Sequence, residues 1–208
     1  MKEGIFLEEA VKLIKERAVG ITQTEIRGIA EAGGYCLAED VFADGKRLMD
    51  CLQKIWEHPL YQEHYRKLQK LERERELCCH TLEHFLDVAR LTYIYALEEG
   101  LSVSRKVIYA AGLLHDIGKD LQYTDGIPHE ESSAQIAARI LPDCEVSREE
   151  QEIIVDLILT HRKKKKACKA RLNELFYKAD KGSRNCLICP ASSQCSWSDE
   201  KKNLKIHY

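Results

Sequence analysis

Six residues able to ligate a metal stand along the chain in the order His84, His115-Asp116, His129, His161 and Asp180. Each is placed where a helical pattern begins or ends. His161 completes the stripe Ile153, Ile154, Leu157, Ile158, so its ring is expected to face inward. His84 heads a line with Val88, Leu91 and Tyr95; His115 and Asp116 end the run Val107, Ala110, Ala111, Leu114. Asp180 follows Leu172, Leu175, Phe176 and Ala179, and His129 opens a helix just after Pro128. One such histidine alone reads as a core residue bonded to a backbone carbonyl. The set does not, because burying two carboxylates and four imidazoles without partners costs several kcal/mol each. A divalent cation that binds carboxylate oxygen and neutral imidazole together offsets that cost. At a helix end His115 and Asp116 can straddle such an ion, with the carboxylate bridging to a second.

Positive charges flank these residues. Lys119, Lys181 and Arg184 adjoin them in sequence and could clamp phosphate oxygens, or else are solvated charges at helix ends. The run Arg162-Lys163-Lys164-Lys165-Lys166 follows His161 as a solvated loop or as a collector of polyanions. A nucleotide or another phosphate ester is the expected substrate class, since no Ser or Cys arrangement for covalent acyl transfer is visible. His80 lies one helical turn before His84 and reads as an outer group, unless the helix starts only at Thr81 and leaves it in a loop. His58, His64 and His207 carry no comparable signal.

A second constellation is made of thiols. Cys186-x-x-Cys189 followed by Cys195 suits a tetrahedral metal or an iron-sulfur cluster, one ligand short. Cys78 is the candidate fourth, since it precedes His84 by as many residues as Cys186 follows Asp180. If the helices bearing His84 and Asp180 run antiparallel, both offsets lead the same way. Cys79 and Cys168 are rivals, four thiolates fit zinc or a [4Fe-4S] cluster alike, and free thiols in a tail are the other reading. Cys36 falls in the N-terminal extension, and Cys51 and Cys144 read as small apolar residues.

The elements that must position these groups read as helices. Apolar periodicity places them at roughly Met49–Glu57, Tyr61–Glu76, Leu82–Glu99, Arg105–Asp116, Glu130–Leu141, Arg148–His161 and Ala170–Lys181. Gly100 and Gly118 are expected as C-terminal stops, Pro142 ends a helix, and Ser147 with Glu150 forms a capping box. Before them, Phe6, Ala10, Leu13 and Ile14, then Ile26, Ile29 and Ala30, recur at helical spacing up to Gly33-Gly34, and Leu37–Phe42 suits a short strand. The expected fold class is all-α, divided as an extension at 1–46, a helical domain at 47–184 and a cysteine-containing tail at 185–208.

Composition narrows the class further. The chain has 208 residues, 44% hydrophobic and 32% charged, which excludes collagenous and disordered readings. Its 32 basic residues nearly balance 34 acidic ones, which argues against a nucleic-acid coat or a membrane-surface binder. No run approaches the roughly 18 apolar residues of a membrane span. Nine cysteines cannot all pair within one chain, and Met1–Ala10 has no apolar signal segment, so the expected compartment is the reducing cytoplasm.

The stretch from Met49 to Arg184 resembles the HD superfamily of metal-dependent phosphohydrolases. The likeness rests on His84 with Asp87-Val88-Ala89, Ala111-Gly112-Leu113-Leu114-His115-Asp116-Ile117-Gly118-Lys119, His129, His161 and Lys178-Ala179-Asp180-Lys181. It implies a helical fold around a metal held by His84, His115, Asp116 and Asp180. His129 and His161 match the added histidines of the dinuclear branch, which would hold a second ion bridged by Asp116. The HD-GYP signature is absent, so cyclic dinucleotides are a weaker substrate expectation. The stretch from Ser183 through Cys186 and Trp197 to Asn203 is similar to the tail of a cysteine-bearing subgroup. Residues Leu7–Ala10, Glu31–Gly34 and Leu37–Ala43 resemble the opening of molybdopterin molybdotransferase over about forty residues, without that family's catalytic motifs.

The expected activity is phosphate-ester hydrolysis, mono- or diester, by a metal-activated hydroxide, with Asp116, Lys119 and Arg184 in catalytic roles and Lys119, Lys181 and Arg184 on substrate phosphate. One or two ions of Fe, Mn, Co, Ni or Zn would occupy the histidine site. The alternative is a metal, nucleotide or redox sensor without turnover. The expected partner is a small-molecule phosphate, with neither membrane nor nucleic acid; a homodimer and a partner linked to molybdenum-cofactor genes are further expectations.

Overall fold

The computed structural model describes residues 38–162 and 171–206, with side chains from residue 45 onward. The chain divides into two compact units, residues 1–47 and 48–208. The first lies almost wholly outside the described residues, as do the molybdotransferase-like stretches up to residue 37, Lys163–Lys166, Cys168 and His207. All six candidate ligands of the histidine site belong to the second unit.

Among the described residues the order is α1 (Ala38–Glu57), α2 (Pro59–Leu71), α3 (Leu82–Glu98), α4 (Arg105–Leu114), α5 (Lys119–Asp125), α6 (His129–Ile140), a 3-10 turn (Leu141–Cys144), α7 (Arg148–Thr160), α8 (Arg171–Gly182) and a short 3-10 turn (Ser192–Gln194). The fold is all-α. The strand expected over Leu37–Phe42 is not formed, because Ala38 already opens α1. No described helix is long and apolar enough to cross a membrane.

Local chemistry explains most boundaries. Pro59 occupies the first turn of α2, where its missing N–H costs nothing, and His58 Nδ1 accepts from the Leu60 N–H at 3.2 Å. Thr81 caps α3 by accepting from the His84 N–H. Ser147 and Glu150 form the full capping box of α7: the Glu150 N–H donates to Ser147 Oγ at 3.3 Å, and the Ser147 N–H donates to Glu150 Oε2 at 2.9 Å. Gly100, at φ 66°, ends α3, with the Leu101 N–H bonded to the Ala96 carbonyl and the Gly100 N–H to the Leu97 carbonyl.

Gly118 departs from the expected role. Its φ is −84°, and it starts α5 rather than ending α4. Glycine is required there for space, since a Cβ would lie 2.4 Å from Ser132 Oγ and 2.5 Å from the Ser133 nitrogen. Hydrogen bonds of 2.9 Å from the Gly118 N–H to Ser133 Oγ, and from Ser132 Oγ to the Gly118 carbonyl, fasten the first turns of α6 to this corner. The helix α5 itself is absent from the sequence reading.

α3 lies between α4 and α8, α4 continues the layer onto α7, and α6 packs on α5 and α7. Phe85, Val88, Ala89, Leu114, Ile117, Ile154, Ile158, Phe176 and Ala179 close the core between them, all fully buried. α3 and α8 run antiparallel: Arg171 at the start of α8 pairs with Glu99 at the end of α3, while Asp180 near the end of α8 meets His84 in the first turn of α3.

Candidate metal centre

Helix ends converge on one buried point. The first turns of α3 and α6 deliver His84 and His129; the ends of α4, α7 and α8 deliver His115 with Asp116, His161, and Asp180. Three of these are C-terminal ends, whose partial negative charge favours a cation. All six side chains are buried, none more than 6% exposed.

The second nitrogen of each histidine fixes which atom faces the centre. His115 Nδ1 donates to the Gly112 carbonyl at 2.8 Å and His161 Nδ1 to the Ile158 carbonyl at 2.6 Å. His129 Nδ1 lies 2.5 Å from Gln122 Oε1 and 3.2 Å from Lys119 Nζ. Ser183 Oγ gives its proton to the Asp180 carbonyl and so accepts from His84 Nδ1 at 3.0 Å. His84, His115 and His161 are thereby left with an Nε2 lone pair aimed inward, and His129 Nε2 lies 3.1 Å from His161 Nε2.

Those lone pairs form two groups that share Asp116. His84, His115, Asp116 and Asp180 each place a ligand atom within 4.8 Å of the others, and so do Asp116, His129 and His161. Asp116 Oδ2 is 3.2 Å from His115 Nε2 and 3.6 Å from His84 Nε2, while its Oδ1 is 3.0 Å from His129 Nε2 and 3.5 Å from His161 Nε2. Bonds of about 2.0–2.2 Å to one ion would set neighbouring ligand atoms at such spacings. His84 Nε2, His115 Nε2 and Asp116 Oδ1 are buried without a hydrogen-bond partner, a cost that coordination would remove. The donor set therefore fits divalent cations.

Burial holds His84 and His129 toward the neutral, ligating form, while Asp116 and Asp180 outweigh burial and pull His115 up. Burial pushes His84 down to about 4, against the pull of Asp116. Asp180 is held well below the usual carboxylate range: burial raises it, but Lys181 and the nearby histidines outweigh that. The same balance, with His115 and His80 as the leading opposing charges, holds Asp116 down.

The centre opens into a cavity of about 300 Å³ lined by Lys119, Arg162, Lys181 and Arg184. Lys119 is pushed down by burial, opposed by Asp116. Lys181 Nζ is 2.5 Å from Asp180 Oδ2 and is committed to that carboxylate, whereas Arg184 is 3.9 Å from Asp180 Oδ1 and donates to the Cys79 carbonyl at 3.0 Å. Arg162 holds Glu130 at 3.1 Å.

Sequence reasoning missed Glu72 and Tyr123, which stand behind His80. His80 does lie outside α3, yet its Nε2 reaches within 3.5 Å of Asp116 Oδ2. Glu72 fixes it from behind, with Oε1 at 2.5 Å from His80 Nδ1 and Oε2 accepting the His80 N–H at 2.6 Å. Tyr123 donates to the same Glu72 Oε1 at 2.7 Å. No apolar periodicity marks Glu72 or Tyr123; the only signal was a charged residue near a helix end.

The tail thiols Cys186, Cys189 and Cys195 line this same cavity, and so does Cys78. Cys79 is turned away, its Sγ directed at the Glu72, Arg75 and Leu77 carbonyls.

The helices that build this centre also carry a likeness to known proteins. Residues 81–185 match the model of the HD domain. An uncharacterized protein of Clostridium beijerinckii is 45% identical over 160 residues, 77% of this chain and 100% of its own length. Ribonuclease Y of Lactobacillus gasseri is 27% identical over 123 residues, 59% of this chain but 20% of that protein. Ribonuclease Y of Pseudothermotoga lettingae is 34% identical over 102 residues, 49% of this chain and 18% of that protein. The crystal structure of a predicted HD superfamily hydrolase from an uncultured Thermotogales bacterium superposes with a TM-score of 0.51 at 17% identity, over 72% of this chain and 82% of that one. With the domain model spanning half the chain and centred on these same helices, the protein belongs to the HD domain family.

Proposed function

We propose that the chain is a metal-dependent phosphohydrolase acting on a nucleotide or other phosphate ester. The observation that carries this reading is the pair of inward-facing ligand groups sharing Asp116, set at the floor of a cavity walled by cationic side chains. The ribonuclease relatives, whose name denotes cleavage of a phosphodiester, support the same bond class, although they share only about a fifth of their length with this chain.

His84, His115, Asp116 and Asp180 would hold one cation, and Asp116, His129 and His161 a second. When bound, two such ions supply an activated water and neutralise charge that develops on phosphorus. Lys119 and Arg184 orient the phosphoryl group by donating to its oxygens. Lys181 screens Asp180 and keeps it ionised. His80, held at Nδ1 by Glu72, lines the cavity with Nε2 3.5 Å from Asp116 Oδ2, and in its doubly protonated form would pass a proton to the leaving oxygen.

The test is metal content and turnover of a nucleotide and phosphodiester panel with Mn, Fe, Co or Ni, in the unaltered chain and in His115→Ala and Asp116→Ala. Both variants should lose metal and turnover together. Unchanged turnover in metal-free Asp116→Ala would refute hydrolysis at this centre, and tight nucleotide binding without product would favour a sensor.

A further inference from the structure

The thiols are unused by the chemistry above, yet four of them meet. Cys78, in the loop before α3, and Cys186, Cys189 and Cys195, in the segment after α8, all line the cavity beside the histidine centre and are unpaired by disulfides. The antiparallel packing of α3 and α8 is what brings them together, because both chain segments leave the pair at the same end. The two segments are then tied directly: Arg184 donates to the Cys79 carbonyl, Gln194 Nε2 approaches Glu76 Oε2 at 3.3 Å, and Asn203 Nδ2 donates to the Lys181 and Arg184 carbonyls at 2.8 Å.

The backbone between the thiols consists of tight turns. The Cys189 N–H returns to the Cys186 carbonyl, the Ser192 N–H to the Cys189 carbonyl and the Cys195 N–H to the Ser192 carbonyl. The Trp197 N–H points at Cys195 Sγ at 3.5 Å, the kind of hydrogen bond that stabilises a coordinated sulfur. Arg184 and Lys202 line the same wall and offset negative charge on sulfur. Of the segment's apolar residues only Cys186 and Ala191 are buried, while Leu187 and Ile188 are exposed.

We propose that Cys78, Cys186, Cys189 and Cys195 hold a [4Fe-4S] cluster in the wall of this cavity. The spacing selects the cluster over zinc. A zinc ion at ~2.3 Å from each sulfur would bring all four within about 3.8 Å of one another. Among the described residues, the groups of three or more ligand atoms lying within 4.8 Å are the two His/Asp sets alone, so the thiols stand wider than one ion allows. In a four-iron cluster each thiolate binds a different iron, so its sulfurs stand farther apart than around a single ion. Cys79 is excluded as a ligand by the carbonyls that its thiol faces. This assignment stands whether or not the histidine centre hydrolyses phosphate.

The full chain, prepared without oxygen and supplied with iron and sulfide, should carry about four irons and four acid-labile sulfides per chain at the thiols, with a broad visible absorption that dithionite bleaches. Cys78→Ser and Cys186→Ser should each lose the sulfide and the absorption, while manganese bound at the histidine centre and the helical circular dichroism persist; Cys79→Ser should keep the cluster. A colourless chain without sulfide, one zinc per chain lost in the same variants, or a cluster retained in both Cys78→Ser and Cys186→Ser overturns the proposal. The metal and sulfide content of the unaltered chain decides the matter even if a variant fails to fold.

Discussion

Asp116 is the residue on which both ligand groups depend, one carboxylate oxygen facing each. Replacing it removes a ligand from two ions, whereas replacing His129 or His161 removes one from the outer group only. His161→Ala is therefore expected to halve the bound metal rather than abolish it, as read by metal analysis of the dialysed protein. His80 belongs to a different category. Its ring touches Asp116 but also leans on Glu72, which is 4% exposed and has Tyr123 as a further donor. Burial raises Glu72, but the His80 and Tyr123 hydrogen bonds hold it below the ordinary range, so it stays a carboxylate behind the ring. His80→Ala should lower kcat by ~10²–10⁴-fold, the range for a lost proton donor, with metal content unchanged. Loss of metal in that variant would instead make His80 a ligand.

At the scale of elements, the centre exists because helix ends, not helix middles, are aimed at it. The corner from Leu114 to Lys119 shows how tightly that aim is held. It carries His115 and Asp116 and then turns at Gly118 directly against Ser132 and Ser133, one turn past His129. Gly118→Ala must push α6 outward, and overpacking of this kind costs ~1–3 kcal/mol. A lowered denaturant midpoint together with weaker metal binding is expected, since the same shift moves His129. Ser147→Ala provides the contrast. It removes the cap of α7 far from the centre and should cost ~1 kcal/mol with turnover unchanged.

At the scale of the molecule, the helices enclose carboxylates and imidazoles that lack partners, so a cation bound there would stabilise the fold. A chelator-treated chain should unfold at lower denaturant than the metal-loaded one, by ~2.7 kcal/mol per site at a free ion concentration one hundred times Kd. Equal midpoints with and without manganese would show that the ligand set is not completed by an ion.

The helical class and the convergence of these histidines and aspartates were legible in the sequence because both obey a local rule. Apolar residues recur at the helical period, and a histidine or carboxylate at the end of such a stripe must face the core, as His161 after Ile154 and Ile158 and Asp180 after Phe176 and Ala179 do. The capping box of Ser147 and Glu150 is equally local. Other features have no period to read. Lys119–Asp125 is a short helix between glycines with little apolar pattern, and Ala38–Phe42 joined α1 although its residues also suit a strand. The backing of His80 by Glu72 and Tyr123 joins residues that are distant in sequence, and only the fold shows that Cys78 lines the cavity while the Cys79 thiol faces neighbouring carbonyls. Periodicity and capping act within a few residues and are written in the order of side chains, while partners across the core are selected by how helices cross, which only the folded chain decides.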